Sequence, residues 1–395
     1  MINRAIAHFD LDSFFVSVEL LKNSRLKGKA VALGSKEDRG VVTSCSYEAR
    51  TFGVRSGMPM RLARQLCPEL IQVRGDMDQY SYYSNIITEI VAEDVPKYEK
   101  TSIDEFFIDL TGMDRFFGTY QFTHELRHKI INETGLPISF GLSVNKTVAK
   151  VATNEGKPNG EKRIEIGMER SFLAPLSIRK IPYIGKQTSA LLKQMGVEYV
   201  KTIQAMPAEA FQQLLGKSGL GLWKRANGID NSPVAPYSER KLKSTEQSFH
   251  QDTIDVSMLS SVLLGMTEKL ASQLRREQKL TACIAVKIRY SNFDTHTKQM
   301  RISYTSCDHI LIKGVKELFK KLYSRRMLIR LIGVKFSYLV HGNYQIDLFD
   351  DSVDMINLYK AMDKMNTRFG DGSIKRAAGL NPRKKSFNSF NSQQD

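Results

Sequence analysis

Two short apolar runs in this sequence end in acids: Phe9-Asp10-Leu11-Asp12, and far downstream Ser102-Ile103-Asp104-Glu105. A carboxylate at the end of a buried strand is costly unless it is paired or holds a cation. Several converging carboxylates are what a hard divalent ion needs. Mg²⁺ takes one or two of them and completes its shell with water and phosphate oxygens. Two such ions clamp the attacking and leaving oxygens of an in-line phosphoryl transfer. Acid pairs also occur on ordinary surface turns, so either motif alone is a weak signal.

The elements that must bring these acids together can be read from periodicity. Residues 4–9 form a buried strand ending at Asp10. Residues 13–22 start a helix, with Ser13 as its N-cap and Phe14, Val18 and Leu21 near helical spacing. The runs 31–33 and 41–44 are β-like and separated by a turn-rich segment. A helix is expected over 76–95, a strand over 103–110, an amphipathic helix over 119–134, and a strand over 138–144. A further helix runs to about 154, and the mixture is that of an α+β domain.

Residues 175–232 read as an all-helical unit punctuated by Gly and Pro, and 231–243, rich in Pro, Ser and charge, as a linker. Beyond it, helices over 252–279 and 306–326 and strands over 282–291 and 328–339 make a second α+β domain. A helix over 353–369 carries Ile356, Tyr359, Met362 and Met365 on one face, and the polar end, 387–395, reads as disordered.

The chain has 395 residues, enough for two to four domains, with 42% hydrophobic and 25% charged residues. No apolar run is long enough to span a membrane, and the first residues have no export-signal pattern, which points to the cytoplasm. Cys45, Cys67, Cys283 and Cys307 lack CxxC spacing, which argues against a zinc site or a disulfide framework. The net charge is +16. Residues 241–340 hold 18 Lys or Arg against 8 Asp or Glu, so one quarter of the chain carries most of the excess. Nucleic acid is the leading partner for such a distribution.

Five motifs stand in order along the chain: HFDLDSFFVSVE, YEARTFGVRSGMP, SIDEFFIDL, GLSVNKTVAK and KPNG. Together they resemble the Y-family DNA polymerases, most closely the bacterial DNA polymerase IV branch, over residues 1 to about 350. The resemblance implies a multidomain α+β right-hand polymerase that adds dNTPs to a primer, with low fidelity and tolerance of damaged templates. Its palm would be 1–20 and 76–167, its small fingers 21–75, and its helical thumb 168–232. A linker over 233–242 would lead to an α+β little finger over 243–342 and a tail over 343–395.

The same resemblance makes Asp10, Asp104 and Glu105 the catalytic, metal-binding carboxylates for two Mg²⁺, joined by the backbone carbonyl of Leu11. Phe15 takes the place of the gate that excludes a ribose 2′-OH. Ser44, Tyr47, Arg50 and Lys157 contact the incoming triphosphate. This agrees with side-chain chemistry: Arg50 offers a planar fork for phosphate oxygens and Lys157 a point charge. Asp12 lies beside the metal candidates but is read as a supporting residue, not a ligand.

Primer-template DNA is expected at a helix–hairpin–helix over 181–196, through Ile184, Gly185 and Lys186, because a helix N-terminus presents amides to phosphate. The family usually has Gly where this chain has Tyr183. Gln345, Leu348 and Phe349 resemble the peptide with which bacterial polymerases bind the sliding clamp. No second acidic cluster indicates a proofreading site, and the chain is expected to be a monomer. Two rivals stay open at this point: a nucleotide cyclase-like two-metal enzyme, and a DNA-binding scaffold of the same fold without catalysis. The first needs no hairpin, basic domain or clamp peptide. The second is disfavoured by the presence of all three acids.

Overall fold

The computed structural model describes residues 4–35, 39–113, 118–236, 239–324, 326–342, 353–370 and 372–379. It separates into two units, Met1–Ser238 and Glu239–Asp395.

In the first unit, strand β1 (Ile6–Leu11) is buried along its length because it occupies the middle of a five-stranded sheet. The order is β5 (Tyr98–Lys100), β6 (Glu105–Asp109), β1, β7 (Ile138–Ser143) and β8 (Glu161–Arg163). β1 runs antiparallel to both neighbours. The two-residue period of a strand sorts its side chains between two faces. Ala7, Phe9 and Leu11 enter a core with Tyr80, Ile87, Ile90 and Val91 of α4 (Met77–Asp94) and Leu126 and Ile130 of α5 (Thr119–Thr134). Ile6, His8 and Asp10 take the other face, where His8 Nδ1 lies 2.8 Å from Thr153 Oγ1 of α6 (Lys146–Gly156). Helix α6 can lie this close because β7 offers Gly141. A Cβ there would come within 2.3 Å of the Ala149 carbonyl and 2.5 Å of the Thr153 amide nitrogen.

Helix α1 (Phe14–Lys22) follows β1 directly. Ser13 does not cap it. Capping requires an extended backbone, whereas Ser13 is left-handed, at φ 44° and ψ 44°, and makes no side-chain cap bond. Its hydroxyl accepts from Arg50 Nη2 at 3.1 Å instead.

A three-stranded sheet of β3 (Ser44–Cys45), β2 (Val31–Leu33) and β4 (Ile71–Val73) packs with α2 (Tyr47–Thr51) and α3 (Met60–Leu66) around Ala32, Val42, Ala49, Met60 and Cys67. The expected 41–44 strand shrinks to its end: Val41 makes only an isolated bridge to Pro59.

The helical stretch contains α7 (Glu169–Leu173), α8 (Lys186–Gln194), α9 (Val200–Ala205), α10 (Ala208–Leu215) and α11 (Lys217–Ala226). Its core of Leu173, Ile178, Leu192, Ile203 and Phe211 is continuous with Val148 and Val151 of α6, so the helices are anchored to the back of the central sheet. The start of the expected linker is pinned as well. Val234 is buried against Ile6 and Phe107, and the Ala235 amide donates to Glu99 at 2.7 Å.

The second unit is a four-stranded antiparallel sheet in the order β11 (Thr295–Thr305), β10 (Lys279–Tyr290), β12 (Ile329–His341), β9 (Leu242–Thr253). Helices α12 (Val256–Arg276) and α13 (Asp308–Leu322) cover the face formed by Ile284, Val286, Ile288, Ile332, Val334 and Phe336. The tail helix α14 (Val353–Phe369) belongs to this body. Tyr359 is buried with its hydroxyl 2.9 Å from His309 Nδ1, and Asp363 accepts from Arg275 Nε at 2.6 Å and Nη2 at 3.0 Å. All four cysteines are buried and unbridged. Among the described residues, no helix is long and apolar enough to cross a membrane.

Candidate active site

The two acidic runs meet because β1 and β6 pair. Asp10 stands opposite Glu105, and the next pair along is held by the Leu11 amide donating to the Asp104 carbonyl at 3.1 Å. Asp10 and Glu105 are therefore a non-hydrogen-bonded pair, the kind in which opposite side chains approach most closely, with Cα atoms about 4.5 Å apart. Both project to the α6 face. Asp104 precedes the regular part of β6, and its Oδ1 accepts from Ser102 Oγ at 2.5 Å.

Two lysines answer these acids. Lys157, just beyond α6, pairs with Asp10 Oδ1 and lies 3.3 Å from the Leu11 carbonyl. Lys150, on α6, pairs with Glu105 Oε2 at 2.6 Å. The three acids do not close on one point: among the described residues, the His/Asp/Glu group whose ligand atoms all lie within 4.8 Å is a different one, His124, His128 and Glu161. The donors are hard oxygens, carboxylate and carbonyl, which is the set that Mg²⁺ takes.

Burial pushes the Asp10 carboxyl up to about 7: Lys157 opposes the shift, and the charges of Glu105 and Asp104 add to it. His8 on the same face is held well below the ordinary imidazole range by burial and by Lys150, Lys157 and Lys146.

The candidate nucleotide contacts hang from the same four residues of chain, 10–13. Lys157 reaches Asp10, the Tyr47 hydroxyl donates to Asp12 Oδ1 at 3.1 Å, and Arg50 donates to Ser13 Oγ at 3.1 Å. The Arg50 guanidinium also lies over the Tyr47 ring, 4.5 Å from its centroid. Burial and the charge of Asp12 push the Tyr47 hydroxyl above the usual phenol range, so it stays a donor. Ser44 is buried on β3, immediately ahead of α2. Asp12 is 2% exposed and already accepts from Tyr47, from Ser139 Oγ at 2.8 Å and from the Asn159 amide at 2.7 Å, so it joins β7, α2 and the 157–160 loop.

Phe15 is half-buried and stacks on Tyr80, with centroids 4.4 Å apart and planes at 20°. Tyr80 is itself buried and donates to Glu19 Oε1 at 2.7 Å. Neither Tyr80 nor Lys150 was singled out by sequence reasoning. Tyr80 looks like an ordinary core aromatic, and Lys150 becomes visible only as the last residue of GLSVNKTVAK, one helical turn from Lys146.

In the helical part, Gly185 caps α8, and the Lys186 amide begins it. Ile184 departs from the expectation of a free amide: its N–H donates to the Ile181 carbonyl at 3.2 Å and its side chain is buried. Tyr183 resolves the departure from glycine. Its backbone keeps the left-handed φ of 73° that glycine adopts freely, while the side chain is 83% exposed under the Arg225 guanidinium, 4.4 Å from the ring centroid. Gln345, Leu348 and Phe349 lie outside the described residues.

Solved structures share this architecture. A chimera of the Y-family DNA polymerases Dbh and Dpo4 superposes with a TM-score of 0.73 at 25% identity, covering 86% of this chain and 100% of that one. An insertion ternary complex of Dbh DNA polymerase gives 0.62 at 24% identity, with 86% and 100% covered. The fold is that of a Y-family DNA polymerase. The family models of the impB/mucB/samB family match residues 9–154, and those of its C-terminal domain match 240–348. Proteins named DNA polymerase IV from Dehalococcoides mccartyi (35% identical, 94% of this chain and 96% of the relative) and Desulfatibacillum aliphaticivorans (32%, 96% and 97%) align along nearly their whole length. The chain belongs to this family of DNA polymerase IV proteins.

Proposed function

We propose that the chain is a DNA-directed DNA polymerase of the translesion kind, which binds DNA and nucleotide and depends on a divalent metal. The observation that carries the reading is the convergence on residues 10–13: acids of β1 and β6 on one side, and Lys157, Tyr47 and Arg50 on the other. A triphosphate carried with divalent cations needs both charges in one place.

In this reading the palm is 1–20 and 76–167, the fingers 21–75, the thumb 168–232 and the little finger 243–342. Asp10, Asp104, Glu105 and the Leu11 carbonyl would hold two Mg²⁺, which would supply charge neutralisation at the transferring phosphoryl group and favour ionisation of the primer 3′-OH. Lys157 and Arg50 orient the triphosphate oxygens. Tyr47, fixed as a donor by Asp12, sets the position of Arg50 through ring stacking. Phe15, backed by Tyr80, lies flat where a sugar would pass. Gly185 and Lys186 offer amides to a DNA phosphate, and the basic second unit adds contacts indifferent to base sequence and sensitive to salt. Primer extension by the purified chain with Mg²⁺, a templated primer and dNTPs tests the reading. Templated addition supports it; no addition with intact DNA binding favours the inactive scaffold.

Metal uptake has a pH dependence whose sign follows from Asp10. A carboxyl raised to about 7 from its ordinary 3.8 contributes stability that is complete below about 3.8 and lost as pH rises through 7. Mg²⁺ must displace that proton. The Mg²⁺ concentration for half-maximal extension should therefore rise steeply as pH falls below about 7 and level off above it. Mg²⁺ should also raise the melting temperature more at pH 8 than at pH 6. An Mg²⁺ requirement that is flat from pH 6 to 8 would contradict this.

The sliding clamp and a monomeric state complete the proposal. Removing residues 345–349 is expected to lose clamp-stimulated synthesis and leave clamp-free synthesis unchanged. A fall in clamp-free activity would show that Leu348 and Phe349 pack against the body instead.

A further inference from the structure

Helix α5 places His124 and His128 one turn apart on one face, with ring centroids 4.4 Å apart. Strand β8 brings Glu161 up to them: His124 Nδ1 is 2.9 Å from both Glu161 oxygens. One ligand atom from each of the three residues falls within 4.8 Å of the others. Two imidazoles and a carboxylate form a borderline donor set, suited to zinc-class ions and not to the hard Mg²⁺ of the catalytic acids. A tetrahedral Zn²⁺ with bonds of about 2.0–2.2 Å holds its ligand atoms roughly 3.3 Å apart. The ligand atoms would have to draw closer than the 4.8 Å that bounds them, and His128 is exposed and has room to turn.

We propose that His124, His128 and Glu161 form a binding site for one Zn²⁺-class transition-metal ion, with water in the fourth position. Glu161 is built as a supported ligand. Its oxygens also accept from Arg127 Nη1 at 2.8 Å and from the Tyr120 hydroxyl at 2.9 Å, so each would keep one lone pair for a cation once the His124 nitrogen turns from the carboxylate to the ion. Arg127 is a positive neighbour working against the ion, and its guanidinium is shared: Nε donates to the Ile138 carbonyl at 2.8 Å, and Nη2 to the Asn159 carbonyl and side chain at 3.0 and 2.6 Å. The ion would thus sit at the outer end of a chain of contacts that runs through Arg127 and Asn159 to Asp12 and the loop bearing Lys157. This site stands on its own residues and does not depend on the polymerase reading.

The test uses the untagged full-length chain, stripped with chelator and held in excess Mg²⁺ so that hard-oxygen sites are filled. Zn²⁺ is titrated in by calorimetry, and Co²⁺ by its visible absorption, which reports nitrogen ligation. One ion per chain is expected, with His128→Gln weakening uptake by at least about tenfold, the size that loss of a mere supporting partner causes. His128 is exposed, so circular dichroism should show this variant folded. No uptake, or the same stoichiometry and affinity in His128→Gln, overturns the proposal.

Discussion

Asp104→Asn is expected to stop primer extension and leave DNA binding intact. The change keeps shape and removes one charge. The Asp104 carbonyl still accepts from the Leu11 amide, so the β1–β6 pairing that sets Asp10 opposite Glu105 is undisturbed. What is lost is one of the hard anionic ligands proposed for the two ions. Lewis-acid charge stabilisation amounts to several kcal/mol, and each ~1.4 kcal/mol is tenfold in rate, so a loss on the order of a thousandfold or more is expected. Single-nucleotide addition measures it, with a gel-shift on the same primer-template as the control for binding. Extension at the normal rate would remove Asp104 from the metal site.

Phe15→Ala is expected to admit ribonucleotides. The ring is held flat by a nearly parallel stack on Tyr80, and Tyr80 cannot retreat because it is buried and bonded to Glu19. A 2′-OH meeting that ring meets a wall. Overpacking costs about 1–3 kcal/mol, so discrimination against rNTPs should fall roughly 5- to 150-fold at that conversion of energy to rate. Losing the stack costs about 0.5–1.5 kcal/mol of stability, so the assay belongs well below the melting temperature. Unchanged sugar selection would place the gate on another residue.

The parts of this protein that were legible in its sequence are those where one physical rule dominates. The central strands β1, β10 and β12 are apolar runs bounded by turns, and α4 and α5 show an apolar stripe. The strands that escaped are of another kind. β9 and β11 are the two edges of the second sheet, and LKSTEQSFHQDT and THTKQMRISYT carry the polar side chains by which edges avoid pairing with other chains. The three-residue strands β4, β5 and β8 also escaped, being too short to show a period; β2, of the same length, was read from its unbroken apolar run.

At the site, the acids could be found from strand ends and family motifs, because their spacing follows the chain. Their partners could not. Lys150, Ser139 and Tyr80 reach Glu105, Asp12 and Phe15 through tertiary packing that no local pattern encodes. Ser13 misled for a related reason: the residue type suits a cap, but the backbone turns left-handed to bring its hydroxyl to Arg50. The tail helix was visible, but its attachment through Tyr359 and Asp363 to His309 and Arg275 was not.

Counting bound ions by electron paramagnetic resonance, with Mn²⁺ as the probe, tests the central claim without relying on turnover. The chain would be held with a primer-template lacking a 3′-OH and the matching dNTP. The account predicts two Mn²⁺ per complex, falling to the nucleotide-only count in a variant carrying Asp104→Asn with Glu105→Gln. Two ions retained by that variant would contradict the assignment of Asp10, Asp104 and Glu105 as a shared cation site.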